Sequence, residues 1–123
     1  MTMWTRNAVL WALVLVVASI GIATAHLRVQ KSMPEADAAL AASPDHIQVW
    51  FSQDPDPAIS RLTLEGADGE IAVGETTVHD DKSLKAMLPA ALAGGDYTVK
   101  WRTAGDDGHT QRGDFAFTVL AAD

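Results

Sequence analysis

Between Leu27 and Leu120 apolar residues fall on alternate positions in several short runs, each bounded by turn-forming residues. A two-residue period marks strands with one buried face. It predicts seven of them, over residues 27–31, 46–52, 59–65, 70–73, 84–88, 97–103 and 114–120. Ile47, Val49 and Phe51 share one face of the second, and Phe115, Phe117 and Val119 share one face of the last. The punctuation agrees: Asp68-Gly69 is a hairpin signal, Gly94-Gly95 precedes the sixth strand, and Pro55 and Pro57 mark a loop after the second. Only the Ala-rich stretch 35–42 suggests a short helix. No internal repeat or low-complexity segment is present. The pattern predicts an all-β fold, a seven-stranded antiparallel Greek-key β-sandwich of immunoglobulin-like type, with a cupredoxin-like topology as the alternative. Tyr97 suits a tyrosine corner, Trp101 shares the core-facing side of its strand, and Trp50 lies on the opposite side from its apolar neighbours, partly exposed.

The first 25 residues break this pattern. A single charge, Arg6, precedes an unbroken apolar run from Ala8 to Ile20, and Ala23-Thr24-Ala25 follows. That order is the grammar of a secretory signal peptide over 1–25, leaving 26–123 as the domain; the rival is an uncleaved membrane anchor, since 8–25 is just long enough to span a bilayer of about 30 Å. Cleavage after Ala25 makes His26 the first residue, with a free α-amine. The chain of 123 residues carries 9 Lys+Arg against 16 Asp+Glu, and loss of residues 1–25, which hold one basic and no acidic side chain, moves its net charge from −7 to −8. Such acidity argues against nucleic acid as a partner. There is no cysteine. Disulfides, thiol nucleophiles, thiolate copper sites and cysteine zinc sites are excluded, and any chemistry must use nitrogen and oxygen donors.

Two of the four histidines are placed to use them. His26, once N-terminal, offers α-amine and imidazole to one ion. His109 lies in the loop 104–110 within Asp107-Gly108-His109, where a D-x-H spacing puts carboxylate and imidazole on one side and Gly108 lets the chain bend. Three nitrogens and one oxygen favour Cu(II), with Zn(II) as the fallback. The remaining candidates have plainer readings: His79 beside Asp80-Asp81 as a solvated turn, His46 as a strand-edge residue, Asp54-Pro55-Asp56-Pro57 as a turn, and Met33 and Met87 as packing residues. Asp106 is expected to point away from Asp107, with a weaker reading as an orienter of a ligand imidazole.

In order along the chain stand His26-Leu27, Ser32-Met33-Pro34, Val49-Trp50-Phe51-Ser52, then Tyr97-x-Val99-x-Trp101-Arg102, Asp107-Gly108-His109 and Gly113-x-Phe115-x-Phe117-x-Val119. In this combination the chain resembles the CopC family of periplasmic copper-binding proteins. The resemblance implies a periplasmic Cu(II) carrier or buffer in copper resistance or homeostasis, not an enzyme. Its ligands carry over to His26, Asp107 and His109. It also implies a copper ion as cargo and an inner-membrane partner of the CopD type; a monomer is expected. Two features depart from the pattern. Residues 54–79 contain no methionine, where some members hold Cu(I) in a Met-rich loop, which makes this a Cu(II)-only chain; and Gln53 stands where some relatives have an acid. The alternatives are a copper-dependent oxidative enzyme resembling polysaccharide monooxygenases, which also use an N-terminal His, and a metal-free immunoglobulin-like interaction domain. Asp107 discriminates against the first, since a carboxylate in the copper plane closes the position that oxygen chemistry needs.

Overall fold

A computed structural model describes residues 26–121, and the segment read as a signal peptide lies outside them. Nine strands form among the described residues: β1 (Val29–Met33), β2 (Ala39–Leu40), β3 (His46–Phe51), β4 (Arg61–Gly66), β5 (Gly69–Ile71), β6 (Thr77–His79), β7 (Ser83–Met87), β8 (Gly95–Ala104) and β9 (Thr110–Val119). They make two sheets, one of order β1-β3-β7-β6 and one of order β2-β9-β8-β4-β5. The chain passes between sheets after β1, β2, β3, β5 and β7, which is the traffic of a sandwich built from crossovers.

Alternation accounts for the core. Ile47, Val49 and Phe51 of β3, Leu62 and Leu64 of β4, Leu84 of β7, Val99 of β8 and Phe117 of β9 are all at most 2% exposed and meet between the sheets. Tyr97 stacks on Phe117 with ring centroids 5.5 Å apart, and its hydroxyl donates to the Ala93 carbonyl at 2.6 Å. That bond ties the approach to β8 down, as a tyrosine corner does. Trp101 meets Phe51 edge-on at 5.3 Å and lies flat against Gly113, directly across the β8–β9 ladder. A Cβ at Gly113 would collide with the indole, so the ring's position requires glycine there. Between β4 and β5 the Gly66–Gly69 pair closes the hairpin, with Gly69 at φ 114°.

The seven expected strands all form, with shifted ends, and two more accompany them. No helix forms over 35–42. Pro34 and Asp37, the latter at φ 65°, break the helical path, and Asp37 N–H donates to the Ala116 carbonyl instead. Ala39–Leu40 then runs parallel to Thr118–Val119, so the sandwich contains one parallel pair rather than being wholly antiparallel. Helix propensity in so short a stretch yields to an open sheet edge. His79 belongs to edge strand β6 rather than to a turn, its Nε2 bonded to Thr77 Oγ1 at 2.9 Å. His46 begins β3, an interior strand of its sheet, and its Nε2 contacts Gln48 Oε1 at 3.2 Å.

Candidate metal centre

Leu27 starts the site although it binds nothing itself. It is 2% exposed, its side chain sunk in the core at the foot of β1. On its C-terminal side the Arg28 N–H donates to Ser52 Oγ at 2.8 Å and the Ser52 N–H returns a bond to the Arg28 carbonyl at 2.8 Å. The chain is thereby pinned directly after His26, which lies at one end of the sandwich.

The β8–β9 hairpin brings its loop to the same end. Gly108, at φ 74°, turns the chain, and its N–H donates to the Gly105 carbonyl at 3.1 Å. Gly105 packs so closely on Leu27 and Gln53 that an added Cβ would strike Gln53 Oε1 and stand 3.2 Å from Leu27 Cβ. Gln53 Oε1 in turn accepts the Asp106 N–H at 3.1 Å.

Within this frame three side chains converge. Asp107 Oδ2 lies 3.2 Å from Nδ1 of His26 and 3.3 Å from Nδ1 of His109, while Asp107 Oδ1 accepts the His109 N–H at 3.1 Å. The two imidazole centroids are 6.4 Å apart with their planes at 47°. The Asp107 side chain is 22% exposed, against 66% for that of His26 and 77% for that of His109, so the carboxylate is the more sheltered group and both rings stay open to solvent. The His109 backbone N–H is the main influence holding the Asp107 carboxyl below its ordinary range; loss of water around it works the other way, and the His109 ring and the charges of both imidazoles reinforce the lowering. At neutral pH Asp107 is therefore an anion that can only accept hydrogen bonds.

The three residues singled out by the sequence are thus brought together, touching one another rather than standing around an open point; among the described residues no three acidic or imidazole side chains already surround a metal-sized position. Asp106 offers its backbone N–H to Gln53. Gln53 itself was legible only as a departure from the family pattern, and its place against the loop is a contact across 53 positions of sequence that no local spacing reveals. Met33 and Met87 are not packing residues: they are 47% and 52% exposed on the outer face of the first sheet, opposite Gln48 and His46.

Comparison with known proteins agrees with this architecture. The family model described as the CopC domain matches residues 29–120. Copper resistance protein C of Escherichia coli is 34% identical over 106 residues, covering 79% of this chain and 83% of the relative. The crystal structure of PcoC, a methionine-rich copper resistance protein from Escherichia coli, superposes with a TM-score of 0.69 at 33% identity, covering 77% of this chain and 99% of that one. CopC from Methylosinus trichosporium OB3b gives a TM-score of 0.71 at 29% identity, covering 80% of this chain and 97% of that one.

Proposed function

The chain belongs to the CopC domain family, and from that premise we propose that it is an exported Cu(II)-binding protein of copper resistance, a carrier or buffer that holds its cargo through His26, Asp107 and His109. One observation carries the reading: a single ionised carboxylate lies within 3.3 Å of ring nitrogens from two histidines that are 83 positions apart in sequence. A carboxylate facing two ring nitrogens marks a place where a cation can stand. Copper displaces protons from imidazole and amine and keeps the carboxylate as counter-charge. With residues 1–25 removed, the α-amine of His26 supplies a further nitrogen, and the resulting three-nitrogen, one-oxygen set suits tetragonal Cu(II).

Asp107 also separates carrier from oxidative enzyme. As a ligand, its carboxylate would hold a coordination position that oxygen or substrate would otherwise need. Partner transfer follows the same economy: the exposed rings let the ion be loaded and taken by a membrane partner of the CopD type.

The test is chelator competition for Cu(II) with wild type, His26→Ala, His109→Ala and Asp107→Ala. Loss of either imidazole should weaken binding by at least about a hundredfold, and loss of the carboxylate by about tenfold. Wild-type affinity in Asp107→Ala contradicts the ligand set. Peroxide production from ascorbate above that of free copper contradicts the carrier reading.

A further inference from the structure

On the outer face of the second sheet Arg61 of β4, Arg102 of β8 and Arg112 of β9 stand directly opposite one another in a single row across three adjacent strands. All three are exposed. Strands lie about 4.8 Å apart, so the row extends roughly 10 Å. Like charges directly opposite on a sheet repel. The arrangement is the more unusual because acids outnumber bases 16 to 9 in this chain, and yet three of its five arginines share one line. Among the described residues no carboxylate comes within ion-pairing distance of these guanidinium groups. Lys100, in the next row, is already paired with Glu65 at 3.1 Å. Arg102 spends only its Nε, donated to the Ile59 carbonyl at 3.2 Å. The row lines a shallow groove of about 560 Å³.

We propose that this row is a docking surface for an acidic segment of a partner protein. Guanidinium forks bind carboxylates bidentately. A single phosphate or carboxylate reaches one or two of three forks spread over roughly 10 Å, whereas a chain bearing several carboxylates can meet all three. Glu70 and Asp114 border the same groove. They oppose a continuous anionic surface such as a lipid bilayer and leave a line of discrete acids as the matching occupant. The row also begins only two ladder pairs from the end of β8 and β9, so a docked partner sits beside the loop of Asp107 and His109. The inference goes beyond the copper reading and does not depend on the metal ligands, because the charges act with or without the ion.

The experiment titrates the exported protein with blocked hexaglutamate peptide at low ionic strength, following backbone amide NMR shifts. Parallel titrations use inorganic phosphate and phosphatidylglycerol vesicles. The expected result is saturable peptide binding with shifts centred on β4, β8 and β9, a Kd at least about fivefold higher in Arg61→Gln and in Arg112→Gln, and no change in Lys85→Gln on the other sheet. The spectra report folding of each variant directly. Absence of saturable binding, or binding indifferent to both arginine substitutions, overturns the proposal. So does equal affinity for phosphate or for the vesicles, and so does self-association that the arginine variants abolish, which would assign the face to a second copy of the chain.

Discussion

Gln53 Oε1 accepts the backbone N–H of Asp106 at 3.1 Å and so fastens the segment leaving β3 to the loop that carries Asp107 and His109. A hydrogen bond of this kind contributes about 1 kcal/mol net. Gln53→Ala should leave the protein folded yet raise the Cu(II) Kd about fivefold, because the loop must then be ordered by the ion. Gln53→Glu, which keeps an acceptor, should recover most of the loss. Chelator competition on the three proteins reads the difference directly.

Leu27 makes a different demand. Its side chain is buried in the core next to His26, the proposed ligand. Leu27→Ala should cost about 2–5 kcal/mol in denaturant unfolding, as large-to-small core changes do. It should also weaken copper binding with all ligands intact, since His26 loses its anchor. Unchanged affinity in a destabilised variant would show that the terminus is positioned by other contacts.

Acidification separates the donors. The Asp107 carboxyl is held below its ordinary range, chiefly by the His109 N–H. A carboxyl with a lowered folded value contributes stability that is complete above its unfolded value, about 3.9, and is lost only as pH falls through the lower folded value. Asp107 therefore stays ionised between pH 7 and 5. Copper affinity should nevertheless fall across that window, because imidazole and amine donors ligate only when deprotonated. In metal-free His109→Ala the backbone donor persists, so carboxyl NMR should still place Asp107 below about 3.9. A flat affinity profile from pH 5 to 8 contradicts nitrogen ligation.

Tyr97→Phe tests the frame without touching the site. It removes the hydroxyl that donates to the Ala93 carbonyl at 2.6 Å, at the end of the sandwich away from the hairpin loop. Thermal or denaturant unfolding should show a loss of about 1–2 kcal/mol. Copper affinity should remain that of wild type.

How far the sequence alone reaches depends on the range of each contact. Strands with four or more alternating residues announce themselves, as β3 and β9 do, because the period follows directly from burial of one face. Thr77–His79 is too short to show a period, and Ala39–Leu40 sits in an Ala-rich stretch whose local preference is overridden by pairing with β9. Asp107 and His109 are legible because two residues of spacing and one glycine contain the whole idea. That His26 would reach them rests on Leu27 and Ser52, contacts that only the folded chain creates. Met33 and Met87 look like packing residues by hydrophobic character alone, yet they pair with Gln48 and His46 on the outward face, a register that only the folded sheet creates.

The most direct test of the central claim is electron paramagnetic resonance of the exported protein loaded with one equivalent of Cu(II), on a sample whose intact mass is known. The account predicts a chain beginning at His26 and a tetragonal, nitrogen-rich spectrum that is lost in both His26→Ala and His109→Ala. A chain that retains residues 1–25, or a spectrum that survives either substitution unchanged, contradicts it.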